Sequence, residues 1–347
     1  MAKTRSGRLK KSIVVLLKIG IPVAIIAYLV CDAAGTKNQA GENVFQQLVN
    51  QPKRWGLLAA AWLFCASAVM LTLVRWWYLV RALEVPLKFA GALRIGFLGY
   101  LFNLAPLGIV GGDLLKAWML SWEHPGARAK AVASVVVDRL IGLYLLFIVA
   151  SAAIVLTGFW RLPVDKVRLI CQISFVLTIV GGVGLGVLLI PGITEGKGTR
   201  ALGRLPRVGP AIESLIEAMR MYRRKPAVLA GASAISVGVH SLFASGVYLI
   251  ARGLPGDVFS LSTYFVISPL SASTGALPLP FGPFELVLES LYMIVPQQGI
   301  TMQEGQGLIV ALGYRLICVL IAIVGVCYYL GSRREVAEVI HDAEQEQ

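Results

Sequence analysis

The sequence predicts an all-α polytopic membrane protein with about six transmembrane helices plus two re-entrant helical hairpins, arranged as an inverted internal repeat. Three observations predict it. Hydrophobic residues make up 57% of the 347 and charged residues 15%, with a mean hydropathy of +0.74, too apolar for an ordinary water-soluble domain. Six apolar runs reach the roughly 20 residues that a helix needs to cross a hydrocarbon core of about 30 Å. Two further apolar stretches are broken in the middle by proline and glycine.

In chain order, the first run, 13 to 30, follows the basic segment K-T-R-S-G-R-L-K-K. Lys18 and Pro22 interrupt it and A-A-G at 33 to 35 is a poor cleavage site, so an uncleaved anchor is expected rather than a signal peptide. The run 57 to 80 opens a first repeat, 57 to 157, which contains the broken stretch 89 to 121 and closes with the run 131 to 157. At 1.5 Å per residue, residues 89 to 104 would reach only about 24 Å, so a hairpin whose tip stops part-way through the bilayer is expected. Irregular backbone at that depth must be buried in protein or line a wet cavity.

A linking helix is expected at 169 to 190. The glycines of G-G-V-G-L-G at 181 to 186 follow no strand and lie within this run, so Gly182 and Gly186 read as a small-residue packing face rather than a phosphate loop. In the basic connection 191 to 225, Val208, Ile212, Leu215, Ile216 and Met219 recur at helical spacing opposite Glu213, Glu217 and Arg220. That pattern predicts an amphipathic helix, either lying on the inner membrane surface against anionic lipid or serving as a solvated linker. The second repeat, 226 to 331, holds the run 226 to 250, the broken stretch 259 to 295 and the run 307 to 331, and a tail of 332 to 347 follows.

Basic residues set the expected orientation. The formal net charge of +13 fits the excess of lysine and arginine on the cytoplasmic side of membrane proteins better than a nucleic-acid partner, for which no binding motif is found. Lys3, Arg5, Arg8, Lys10 and Lys11 precede the first run, and Lys197, Arg200, Arg204, Arg207, Arg220, Arg223, Arg224 and Lys225 fill the central connection. Six spans place both on one side, whereas 253 to 306 carries Asp257, Glu285, Glu289 and Glu304 and no lysine or arginine. Both termini are expected to be cytoplasmic, in the plasma (inner) membrane. Cys31, Cys65, Cys171, Cys318 and Cys327 lack metal or redox spacing, and His124, His240 and His341 are scattered, so no cofactor, metal or catalytic centre is expected.

Three landmarks occur twice in the same order, offset by roughly 170 to 176 residues. Y-L-V-R ending at Arg81 matches Y-L-I-A-R ending at Arg252; A-P-L-G-I-V-G-G-D ending at Asp113 matches L-P-L-P-F-G-P-F-E ending at Glu285; D-R-L-I at 138 matches Y-R-L-I at 314. Pro106 and Pro278 stand at the same distance from their acids. An odd number of spans separates the two starts, so the repeats are expected to be inverted, with hairpin tips meeting near the midplane as in transporters.

A charge at mid-membrane costs several kcal/mol unless paired or hydrated, which makes such residues functional candidates. Asp113, Lys116, Arg139, Glu285 and Arg315 are the expected substrate-binding residues, with Asn103, Ser271, Ser273 and Thr274 as neutral donors and acceptors; Pro106, Gly111, Gly112, Pro278, Gly282 and Pro283 would shape the hairpin tips. Asp113 and Lys116 are three apart, close enough to pair, and the two acids would also serve as helix caps with the arginines as structural partners. Arg75, Arg81 and Arg94 are expected to snorkel to headgroups. Glu285 and Glu289 share a helix face without a catalytic context.

P-L-G-I-V-G-G-D-L-L-K-A, D-R-L-I-G-L and S-P-L-S-A-S-T-G-A-L-P-L-P-F-G-P-F-E resemble the lysylphosphatidylglycerol synthase transmembrane region family, also called flippase-like proteins, over nearly the whole chain. The resemblance implies an integral membrane protein linked to moving lipids or lipid-linked intermediates between leaflets, and Arg139 and Arg315 lead us to expect an anionic (phospho)lipid or lipid-linked intermediate. The chain runs only 16 residues past its last apolar run, 332 to 347, so the soluble domain that attaches lysine to lipid in bifunctional members is not expected. Membrane lipids are the expected partners. The alternatives are an intramembrane enzyme acting on a lipid-linked phosphate or sugar, and a non-transporting membrane partner of a lipid or envelope biosynthetic enzyme. The oligomeric state is left open.

Overall fold

A computed structural model describes residues 20, 23–36, 41–104, 108–190, 209–277, 279, 281–296 and 302–331. The basic N-terminal segment, most of the anchor run, Pro106, Pro278, Lys197, Arg200, Arg204, Arg207 and the C-terminal tail lie outside the described residues. Among the described residues there are helices and no strands, and the protein is an all-α, multi-pass membrane protein.

The helices are α1 (Val23–Gly35), α2 (Val44–Asn50), α3 (Trp55–Ala82), α4 (Phe89–Asn103), α5 (Gly108–Glu123), α6 (Arg128–Thr157), α7 (Asp165–Leu189), α8 (Gly209–Tyr222), α9 (Pro226–Gly253), α10 (Leu261–Ala272), α11 (Pro283–Ile294) and α12 (Gln306–Gly331). Among the described residues five of them, α3, α6, α7, α9 and α12, are long and apolar enough to cross a membrane. The expected first span is described only over α1, which is too short to count on its own. Helices α4 and α5, with 15 and 16 residues, rise about 22 to 24 Å, and α10 and α11, with 12 each, about 18 Å, so each falls short of a full crossing.

Helix α2 was not foreseen. Asn43 begins it with a reciprocal cap: its side chain accepts from the Gln46 backbone N–H and the Gln46 side chain accepts from the Asn43 N–H, both at 2.9 Å. Gln47 then donates to the Gln303 side chain at 2.7 Å, tying α2 to the chain that leads into α12.

Helices α3 and α9 pack side by side and antiparallel. Leu58, Cys65, Leu71 and Tyr78 of α3 oppose Gly253, Gly246, Gly238 and Gly231 of α9 in that order, and the Arg54 N–H donates to the Gly253 carbonyl at 2.9 Å. Glycine at intervals of about two turns lets two backbones approach where apolar side chains gain little by leaving lipid. Two apolar clusters flank this pair. One joins α3, α4, α5, α6 and α8 around Trp76, Leu98 and Leu120; the other joins α9, α10, α11 and α12 around Tyr264, Ile267 and Leu288 and reaches α3, α4, α6 and α7 through Cys65, Phe97, Ile154 and Cys171.

Helix α8 corrects one expectation. Its apolar face, Ile216, Met219 and Tyr222, is buried against protein, and the Tyr222 hydroxyl donates to the Leu79 carbonyl at 2.9 Å, so that face is not open to lipid. Glu213, Glu217 and Arg220 point outward. The glycine face on α7 is also smaller than expected: Gly182 sits against Tyr144, whereas nothing lies within 4 Å of a side chain added at Gly186.

Helices α4 and α5 fold back on each other, and the closest point is at Gly99 and Gly112. A Cβ on Gly112 would collide with the Gly99 carbonyl oxygen and the Asn103 amide. Gly112→Ala is therefore expected to lower stability by about 1–3 kcal/mol through overpacking. Gly186→Ala, which meets nothing, should leave the unfolding temperature unchanged or slightly raised. Thermal unfolding of the two purified variants in detergent checks both outcomes.

Candidate functional site

The site is built from the breaks in the two short-helix pairs. Helix α5 begins at Gly108, so Gly111 and Gly112 lie inside its first turns rather than at a tip. Asp113 is consequently no cap. It projects toward α6, where Arg139 donates to both carboxylate oxygens, Nη2 to Oδ1 at 2.7 Å and Nε to Oδ2. Lys116, one turn on, lies 3.8 Å from Asp113 Oδ1. Two cations thus share one carboxylate.

In the second half, Gly282 adopts φ +99°, a conformation that side chains disfavour, and Pro283 starts α11 in the first-turn position that suits its missing N–H. Glu285 then curls back to accept from the Gly282 N–H at 2.7 Å while binding the Arg315 guanidinium of α12 through both oxygens. The same carboxylate caps its own helix and neutralises an arginine. Glu289, one turn on, accepts from the Gly305 and Leu308 N–H groups at 2.6 and 2.7 Å and so caps α12, which accounts for the second acid on that face.

The two pairs face one cavity. It measures about 320 Å³ and is walled by Thr72 of α3, Tyr100 and Asn103 of α4, Lys116 of α5, Arg139 of α6, His240 of α9, Thr274 of the break before α11, Pro283 at the start of α11, and Tyr314 and Arg315 of α12, with apolar side chains between them. The arginine side chains remain open, 43% for Arg139 and 27% for Arg315, whereas the acids sit behind them, 15% for Asp113 and 0% for Glu285. Cations therefore present themselves to the cavity, and among the described residues no acid lines it. The Asn103 side-chain oxygen at its edge has no hydrogen-bond partner among the described residues.

The family model for the lysylphosphatidylglycerol synthase TM region matches residues 15–325. The chain belongs to this family. No curated protein and no solved structure matches it.

Of the residues expected in this family member's site, Asp113, Lys116, Arg139, Glu285, Arg315, Asn103, Thr274 and Pro283 meet at or directly behind the cavity wall. Ser271 and Ser273 do not line it: their hydroxyls donate to the Ile267 and Leu270 carbonyls of α10. Thr274 also bonds its own chain, at the Ser271 carbonyl. Pro106 and Pro278 lie outside the described residues.

Arg75 corrects another expectation. Arg94 pairs with Glu123 across α4 and α5. Arg75 is 4% exposed and donates to Asp138 at 2.7 Å and to the Ser236 hydroxyl at 2.7 Å, bridging α3, α6 and α9 next to His240, whose Nε2 bonds the Gly142 carbonyl. Sequence reasoning placed Arg75 at the headgroups and passed over Asp138. The signal was present, since an aspartate immediately before Arg139 inside an apolar run needs a partner of its own.

Removing one member of this buried pair strands the other. Arg75→Leu is expected to cost about 3–5 kcal/mol, and Arg75→Leu combined with Asp138→Leu to recover most of that loss. Unfolding temperatures of the single and double variants decide between a stabilising pair and a mere neutralised one.

Proposed function

We propose that the protein carries an anionic phospholipid or lipid-linked intermediate from one leaflet to the other, the headgroup passing through the cavity while the acyl chains stay in the bilayer. The observation that carries this reading is the shared cavity with Lys116, Arg139 and Arg315 on its wall and the balancing acids behind them. Guanidinium groups carry five N–H donors, and only Nε and Nη2 of Arg139 and Arg315 are spent on their carboxylates, so each arginine can offer its remaining donors to a phosphate while it keeps its acid.

In this reading α4 with α5 and α10 with α11 are re-entrant hairpins that enter from opposite faces, and the two halves are inverted repeats. Three features support it: each of these helices is shorter than a crossing, the landmark sequences recur in order, and α3 and α9, the helices that precede the two hairpins, run antiparallel. Alternating access then amounts to one half rocking against the other around the cavity. The distribution of lysine and arginine supports a plasma-membrane orientation with both termini in the cytoplasm.

Reconstitution in liposomes with fluorescent phospholipids tests the proposal. Anionic lipid should cross faster than in empty vesicles, and Arg139→Ala or Arg315→Ala should slow it at least about tenfold, the loss of one charge-assisted contact of roughly 1.5–3 kcal/mol. If wild-type protein accelerates no anionic lipid, the transport reading is wrong.

A further inference from the structure

We propose that Lys116 sets the charge selectivity of the cavity, and that the headgroup it admits is a phosphodiester carrying one negative charge. The inference rests on the transport reading above and narrows it. The Lys116 side chain is only 6% exposed, and the cavity is what it faces. An ammonium group has three donors to satisfy. Among the described residues it makes no hydrogen bond: Asp113 Oδ1 is 3.8 Å away, and its other cation contact is the Trp76 ring, 5.8 Å from Nζ to the centroid. Both oxygens of Asp113 are already held by Arg139.

Charge counting gives the consequence. Lys116, Arg139 and Arg315 face two carboxylates, Asp113 and Glu285, while Arg75 and Asp138 neutralise each other behind the wall and His240 counts as a neutral imidazole. With Lys116 counted as an ammonium, one positive charge is left over. In surroundings of low dielectric constant an uncompensated charge is costly, so the empty site favours a ligand that supplies a single negative charge. A phosphodiester supplies one. A phosphomonoester carries about −1.5 to −2 at neutral pH and would leave an excess of the opposite sign. A zwitterionic headgroup has no net charge to offer. The cavity, about 320 Å³, lies at the small end of ligand sites, which run from about 300 to 1,000 Å³, and suits a headgroup rather than its acyl chains.

A phosphodiester can come from a lipid or from a soluble molecule, and the test separates them. Purified full-length protein in neutral detergent is titrated with short-chain phosphatidylglycerol, phosphatidic acid, phosphatidylcholine and the soluble diester glycerophosphoglycerol, with Kd read by microscale thermophoresis. Phosphatidylglycerol should bind at least about tenfold more tightly than the other two lipids, and the soluble diester should not compete. Lys116→Met, which makes the site neutral, should abolish the preference for the monoanion. Asp113→Asn, which raises the excess to two charges, should shift the preference toward phosphatidic acid; either variant decides the matter should the other fail to fold. Wild-type protein that does not prefer phosphatidylglycerol, or a folded Lys116→Met variant that still does, overturns the role of Lys116 and leaves the transport reading standing. Competition by the soluble diester on equal terms, or no binding by any lipid, overturns both.

Discussion

Among the described residues an arginine clasps a carboxylate across two helices four times: Arg75 with Asp138, Arg94 with Glu123, Arg139 with Asp113, and Arg315 with Glu285. Hydrocarbon leaves little choice, because an isolated charge there costs several kcal/mol and a matched pair far less. Each clasp therefore dictates which helices must touch. Asp113 draws α5 against α6, Glu285 draws α11 against α12, and Arg75 joins α3 to α6 and, through Ser236, to α9. The long helices would be apolar rods free to slide in lipid without these fixed points and the glycine contacts between α3 and α9.

The same constraint governs the backbone. A helix that starts inside a membrane exposes N–H groups with no water to receive them. Glu285 takes the Gly282 N–H, and Glu289 takes those of Gly305 and Leu308, so two helix starts are satisfied by acids one turn apart on α11. Pro283 removes a further donor from the first turn. Pro269 inside α10 lacks the N–H that would reach the Phe265 carbonyl one turn back, in a helix of only 12 residues.

The cavity follows from how these clasps are aimed. In both halves the acid is shielded and the cation faces inward, so the charge that a ligand meets is positive although each pair is close to neutral. The halves are not equivalent, since Asp113 serves two cations while Glu285 serves one cation and a helix terminus. In the proposed transport cycle this asymmetry makes the first half the more strongly anion-seeking side.

Composition alone was enough for the membrane class and the helical fold, because the demand that backbone groups be satisfied in lipid leaves helices as the natural solution for runs of twenty apolar residues. Asp113, Arg139, Glu285 and Arg315 were legible as candidates for the same reason: any charge within such a run stands out. Their partners were not, since pairing joins residues 26 or 30 positions apart through helix packing that no local pattern encodes. Arg75 read as a headgroup anchor until α6 and α9 enclosed it, and Ser271 and Ser273 read as lining residues until their hydroxyls turned to their own backbone. Which polar groups occur within the membrane is a property of the sequence; which way they face depends on the neighbours that three-dimensional packing brings, and that only the tertiary structure decides.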